Sequence, residues 1–201
     1  MCLSSPSAAS RLKSHALGVL RWAVLGLSLA AAPAPGQSSA TISLIDHTGR
    51  TVTLPDLTAK PSVVMFGFMN CPAICPATLY HATRALQKLG SDRNKLQVLF
   101  VTVDPERDTP ENLAGYVTAF DDRILGLTGT DQNISRLADR LGARYKRVPD
   151  GQGGYTMSHT VHSFLLEAGW QAKSTVYFGP EVNPGTSTGK LRRLVARQSI
   201  Q

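Results

Sequence analysis

Apolar and polar positions alternate along this chain in a way that marks strands and helices in turn. Thr41–Ile45 and Thr51–Leu54 are short β-type runs around Asp46–His47–Thr48–Gly49, which reads as a small hairpin. Ser62–Phe68 is apolar nearly throughout and partly β-branched, the pattern of a buried strand. Pro76–Leu89 follows with Leu79, Ala82, Leu86 and Leu89 on one helical face and Gly90 as its stop. Leu96–Val103 reads as a strand covered on both sides. Thr109 then caps a helix that opens on Pro110 and runs to about Phe120. Ile124–Leu127 is a short strand, Asp131–Leu141 a helix stopped by Gly142, and Gly151–Gly154 a loop. His162–Leu166 and Thr175–Phe178 form a hairpin around Glu167–Ala168–Gly169, and Gly185–Gln198 is the last helix. This order predicts an α/β fold, a central mixed sheet flanked by helices on both faces.

The first 36 residues differ from the rest. Arg11, Lys13 and Arg21 precede the apolar stretch Trp22–Ala32, and small residues and prolines follow to Gly36. The stretch falls short of the roughly 20 residues that span a bilayer, so residues 1–36 read as a signal peptide ahead of a membrane anchor. Residues 37–201 then form one domain, extracytoplasmic, in a periplasm or secreted, or held at the inner membrane by an uncleaved leader. Without the three leader cations, 18 basic residues face 14 acidic ones, a net charge of +4. The excess gathers only at Arg144–Lys146–Arg147 and Lys190–Arg192–Arg193, without the interleaved aromatics of a nucleic-acid surface.

The chemistry concentrates where the strand Ser62–Phe68 hands over to a helix. Cys71 and Cys75 lie there, each followed by proline. A residue before proline avoids α geometry, so both cysteines are expected just outside regular helix, with Cys75 as cap and Pro76 as first helical residue. A thiol at a helix N-terminus sees the positive end of the dipole, which favours its thiolate. A purely structural disulfide in so small a loop contributes only roughly 2 kcal/mol, a poor staple. Flanking prolines and a strand end speak against an inert core pair and for an exposed, reactive or metal-binding one. Ligand sites in such sheets gather beyond the carboxyl ends of the strands, so the loop beginning at Asp104 should adjoin the cysteines. Of the histidines, His47 sits in a turn and His81 on a helix, both read as surface residues. His159 and His162 border the strand Ser163–Leu166, where an imidazole could complete a site. Two thiolates and an imidazole suit copper or zinc.

The stretches Phe66–Gly67–Phe68–Met69–Asn70–Cys71–Pro72–Ala73–Ile74–Cys75–Pro76, Val101–Thr102–Val103–Asp104–Pro105–Glu106–Arg107–Asp108–Thr109–Pro110–Glu111 and Leu127–Thr128–Gly129, with His159, resemble the SCO/SenC family of copper-binding proteins for cytochrome c oxidase assembly. The resemblance covers roughly residues 40–197. It implies a thioredoxin fold with an added hairpin, and copper held by Cys71, Cys75 and His159. It also implies thiol–disulfide activity of the Cys71–Cys75 pair toward the copper-binding subunit of the oxidase, with other copper chaperones as further partners. An extracytoplasmic thiol–disulfide oxidoreductase with incidental copper is the alternative. Asp104 and Arg107 are expected to organise their loop and not to bind metal. Ala73 and Ser158 stand where the family usually carries acidic residues, which removes negative charge near the site. His162 is a second candidate, set aside because three residues along a strand reverse the face. Met69 and Met157 are expected to pack and not to coordinate.

Overall fold

The computed structural model describes residues 41–171 and 173–198, so the leader expected at residues 1–36 lies outside the described residues. Residues 39–201 form a compact unit that contains both hydrophobic clusters. In chain order the elements are β1 (Ser43–Asp46), β2 (Thr51–Thr53), α1 (Leu54–Thr58), β3 (Ser62–Gly67), α2 (Ile74–Gln87), β4 (Gln97–Thr102), α3 (Pro110–Thr118), β5 (Ile124–Thr128) and α4 (Asp131–Leu141). There follow β6 (Tyr145–Pro149), β7 (Tyr155–His159), β8 (Ser163–Leu166), β9 (Lys173–Val176) and α5 (Pro184–Gln198). A 3-10 segment, Gly90–Lys95, joins α2 to β4.

Seven strands form one sheet in the order β2-β1-β5-β4-β3-β8-β9. The central strands β3, β4 and β5 run parallel, while β8 lies antiparallel on β3 and β1 antiparallel on β5. Alternation along β3 divides its side chains between two layers. Val63 and Met65 pack with Leu79, Ala82, Leu113 and Leu191 under α2, α3 and α5. Val64 and Phe66 pack with Ile134, Leu137, Phe164 and Trp170 on the α4 side. The sheet is therefore covered on both faces, as the continuous apolar runs of β3 and β4 require. The fold is the expected thioredoxin-like one.

Differences from the sequence reading are local. Thr109 caps α3 by accepting from the Asn112 amide, and Gly142 ends α4 with φ at 74°, both as read. Leu54–Thr58 is helical, where its five residues are too few to show a period. The segment 145–149 is strand β6, which no apolar alternation marks, because Tyr145–Lys146–Arg147–Val148–Pro149 is mostly polar and ends in proline. With β7 it forms a separate two-stranded ribbon whose tip is the Gly151–Gly154 loop. This ribbon is the added hairpin that the family resemblance implies. Among the described residues, no helix is long and apolar enough to cross a membrane.

Candidate metal centre

The β3–α2 connection places the two cysteines. Chain direction reverses after Phe68, whose carbonyl accepts from the Cys71 amide at 3.3 Å. The helix α2 begins at Ile74 with Ala73 as its N-cap, two residues earlier than the prolines suggest. Cys71 lies outside the helix as expected, but Cys75 lies within its first turn and is not the cap. The first turn lacks intrahelical acceptors, so Pro76 costs no hydrogen bond there. One of those free amides is used locally: Cys75 N donates to Cys71 Sγ at 3.4 Å.

Both thiols are free and, contrary to the expected exposure, both are buried, Cys71 at 8% and Cys75 at 4% accessible. Cys75 Sγ lies over Gly67, where an added Cβ would stand 3.0 Å from the sulfur and 2.7 Å from the Phe100 ring. Only glycine permits that approach. Burial pushes the Cys75 thiol strongly up, against a backbone hydrogen bond from Phe68, and the nearby Cys71 and Asp108 push in the same direction. The expected easily formed thiolate is thus overturned for Cys75: loss of solvent outweighs the helix dipole.

His159 arrives from the far end of the chain. It is the last residue of β7, paired with Tyr145 of β6. Its Nδ1 lies 2.9 Å from the Thr160 carbonyl, and a carbonyl can only accept, so the proton is on Nδ1. The Nε2 lone pair then faces Cys75 Sγ at 3.5 Å. Thr160 is itself fixed, its amide donating to Arg144 O at 2.8 Å and its hydroxyl accepting from Arg144 N at 2.9 Å. Phe68 packs edge-on against the imidazole, centroids 5.8 Å apart. Burial lowers the His159 pKa, opposed by the Thr160 hydrogen bond, and so favours the neutral ring that a metal needs. Cys71 Sγ, Cys75 Sγ and a ring nitrogen of His159 all lie within 4.8 Å of one another. One ion with bonds of roughly 2.0–2.3 Å could reach all three. Two sulfurs and one nitrogen, set among apolar side chains, fit a soft monovalent or borderline divalent ion.

The other candidates fall away. His162 stacks on Phe164 at 4.9 Å and belongs to no such cluster. It lies outside β7 and β8, so the reason for setting it aside, alternation along one strand, does not apply. His47 accepts from the Gly126 amide and His81 stacks on Tyr80. Met157 packs against the α4-side core and Met69 against the other, as expected.

A polar network not legible in the sequence ties the ribbon to the loop after β4. The Tyr155 ring lies between two guanidinium groups, Arg107 at 3.9 Å and Arg147 at 3.8 Å. Its hydroxyl donates to Asp104 at 3.0 Å, and Arg107 Nη1 donates to the Tyr155 carbonyl at 3.1 Å. Ion pairs Arg107–Asp104 and Arg147–Glu106 complete the clamp. Asp104 and Arg107 thus organise the loop and, beyond the sequence reading, hold the strand that carries His159. On the same loop Asp108 accepts from Met69 N at 3.1 Å and from Thr102 Oγ1 at 2.5 Å, which ties it to the segment just before Cys71.

Comparison with known proteins matches this geometry. The SCO1/SenC family model covers residues 31–196. A SCO2-like protein of Rickettsia felis is 34% identical over 127 residues, 62% of each chain. The human mitochondrial SCO1 homolog is 33% identical over 146 residues, 71% of this chain but 48% of its own. The chain therefore spans about half to six-tenths of the length of these curated relatives. The copper-bound structure of ScoI from Bradyrhizobium japonicum superposes with a TM-score of 0.70 at 32% identity, over 77% of this chain and 97% of that one. With the whole folded region matched by one family and the cysteine–histidine cluster at its centre, the chain belongs to the SCO1/SenC family.

Proposed function

We propose that the chain is an exported copper metallochaperone for assembly of cytochrome c oxidase, with Cys71, Cys75 and His159 as the ligands of its cargo. The observation that carries this is the convergence of two free thiols and an oriented imidazole lone pair within 4.8 Å. Thiolates favour Cu(I), and the Bradyrhizobium relative is one with copper bound. Binding must displace the proton that burial holds on Cys75, so loading releases protons and is favoured by rising pH. His159 contributes a neutral nitrogen whose other face is already fixed on Thr160. Residues 1–36 act as the export leader and residues 37–201 as the copper domain, placed in the periplasm or at the membrane surface. The recipient is the copper-binding subunit of the oxidase, with other copper chaperones as further partners.

A second reading, a thiol–disulfide oxidoreductase, is favoured by one observation: the two sulfurs are neighbours, within 4.8 Å of each other. Oxidation of the pair would release two electrons and two protons to a partner disulfide. The histidine separates the two readings. His159→Ala should weaken Cu(I) binding at least tenfold and alter Cu(II) spectra while leaving dithiol oxidation at Cys71–Cys75 nearly intact. Copper affinity unchanged in that variant, with thiol exchange impaired, favours the oxidoreductase.

A further inference from the structure

The basic residues at the sequence positions 190–193 do not form a solitary charge run. They meet cations from three other parts of the chain at one end of the molecule. Arg192 on α5 donates to the Lys88 carbonyl at the end of α2. Lys190, Arg193 and Arg197 of α5 join Lys173 of β9 around a groove of about 240 Å³. Lys190 and Lys173 are held at its walls by the carbonyls of Thr175 and Leu141, each at 2.8 Å. Beside them, Arg84 and Lys88 of α2 line a second groove with the exposed Tyr80. The adjoining Gly90–Lys95 segment adds Arg93 and Lys95. The carboxylates near them include Asp92, paired with Lys95, Glu167, paired with Arg197, and the exposed Glu181 beside Val182 of the second groove.

This end is remote from the cysteines. Cys75 is in the first turn of α2 and Lys88 is its C-cap, which sets them roughly 20 Å apart along the axis at 1.5 Å per residue. Glu167 follows Leu166, which pairs with Ser62 at the start of β3, whereas Cys71 follows the end of β3. A receiver of copper must meet the cysteine end.

We propose that this end of the domain is a docking surface for an anionic membrane, contacting phospholipid headgroups. The cations spread across two grooves on either side of α5, which fits a lattice of phosphates and not one small anion. The surface is independent of the leader and of the metal, and it orients the Cys71–Cys75–His159 end away from the bilayer.

The test uses residues 39–201, a compact unit with its own core, so that the leader contributes nothing. Metal-free protein is co-sedimented with vesicles of phosphatidylcholine, with and without 30% phosphatidylglycerol, at low and at high salt. Binding is expected only to the anionic vesicles and should be lost at high salt. The triple variant Lys88→Gln, Arg192→Gln, Arg193→Gln should bind about a hundredfold more weakly. A control triple on α4 and β6, Arg136→Gln, Arg140→Gln, Lys146→Gln, should bind as the parent does. Equal loss in both triples would reduce the effect to net charge and overturn the proposal. So would failure to bind anionic vesicles, including the case in which the domain binds a polyglutamate peptide instead. Copper content of the same variants is read separately and should not change, which keeps this surface distinct from the metal reading.

Discussion

Asp46 and Asp108 both have almost no accessible surface, 0% and 1%, with Asp108 the more deeply enclosed, and their protonation moves in opposite directions. Burial alone raises the pKa of either. At Asp46, in the β1–β2 corner, this is outweighed by hydrogen bonds from the Thr48 hydroxyl and amide and the Arg50 amide and guanidinium, and the pKa falls to about 2. Asp108, beside the cysteine segment, receives two hydrogen bonds on one oxygen, from Thr102 and Met69. Burial wins there, Asp104 adds repulsion, and the pKa rises. The corner is a carboxylate whose charge is fully answered and which serves folding. The site loop keeps a carboxylate incompletely answered near the cysteines, and its charge acts on one of them: Asp108 is among the groups that raise the Cys75 pKa. Strain of this kind near a cluster of ligands is a mark of function.

The largest effects should come from breaking the well-satisfied member. Asp46→Asn should cost about 2 kcal/mol at neutral pH, seen as a lowered denaturation midpoint, with copper binding unchanged. Because the folded pKa of Asp46 lies below its unfolded value, its contribution is present above about pH 4 and is lost as pH falls toward 2. The variant should therefore show a flatter acid limb than the parent. Asp108→Asn should have the opposite sign. Its folded pKa is raised, so the parent loses stability as pH rises through it, and the amide removes that loss while its oxygen still accepts from Met69 and Thr102. Stability at pH 7 should be unchanged or higher, and alkylation of Cys75 in metal-free protein should begin at lower pH. Loss of stability comparable with Asp46→Asn would show that both carboxylates are merely structural.

Smaller effects test the supports of the imidazole. Tyr155→Leu removes the stack between Arg107 and Arg147 and should weaken Cu(I) binding several-fold, less than His159→Ala, whereas Tyr155→Phe keeps the stack and should retain most affinity. Equal affinity in all three proteins would separate the clamp from the histidine. Smallest of all should be Ser158→Asp and Ala73→Asp, both at exposed positions. A carboxylate at 73, the N-cap of α2, should raise the thiol pKa further, and one at 158 should slow copper release, each by a few-fold.

Most of this fold could be read from the chain because its strands and helices carry strong apolar periods. The helix Asp131–Leu141 agrees to the residue, since Thr130 and Gly142 punctuate it chemically. The ribbon β6–β7 escaped because it packs through charged and aromatic side chains, so Tyr145–Pro149 shows no apolar alternation. Cys71 and Cys75 were legible from spacing and prolines. The burial of Cys75 was not, because it follows from Gly67 opening a place for sulfur beside Phe100, a contact across elements. His159, 84 residues from Cys75, was placed by family resemblance and not by any spacing rule. The clamp joins Tyr155 to Arg107 and Asp104, 48 and 51 residues away, and those contacts leave no local mark.

The central claim, that Cys71, Cys75 and His159 form one copper site, is tested most directly by copper content. Protein kept fully reduced, loaded with Cu(I) under argon and desalted, should retain one copper per chain by elemental analysis. Protein first oxidised to the Cys71–Cys75 disulfide offers no thiolate and should retain almost none. Equal copper in the oxidised and reduced forms would contradict the account and place the metal elsewhere.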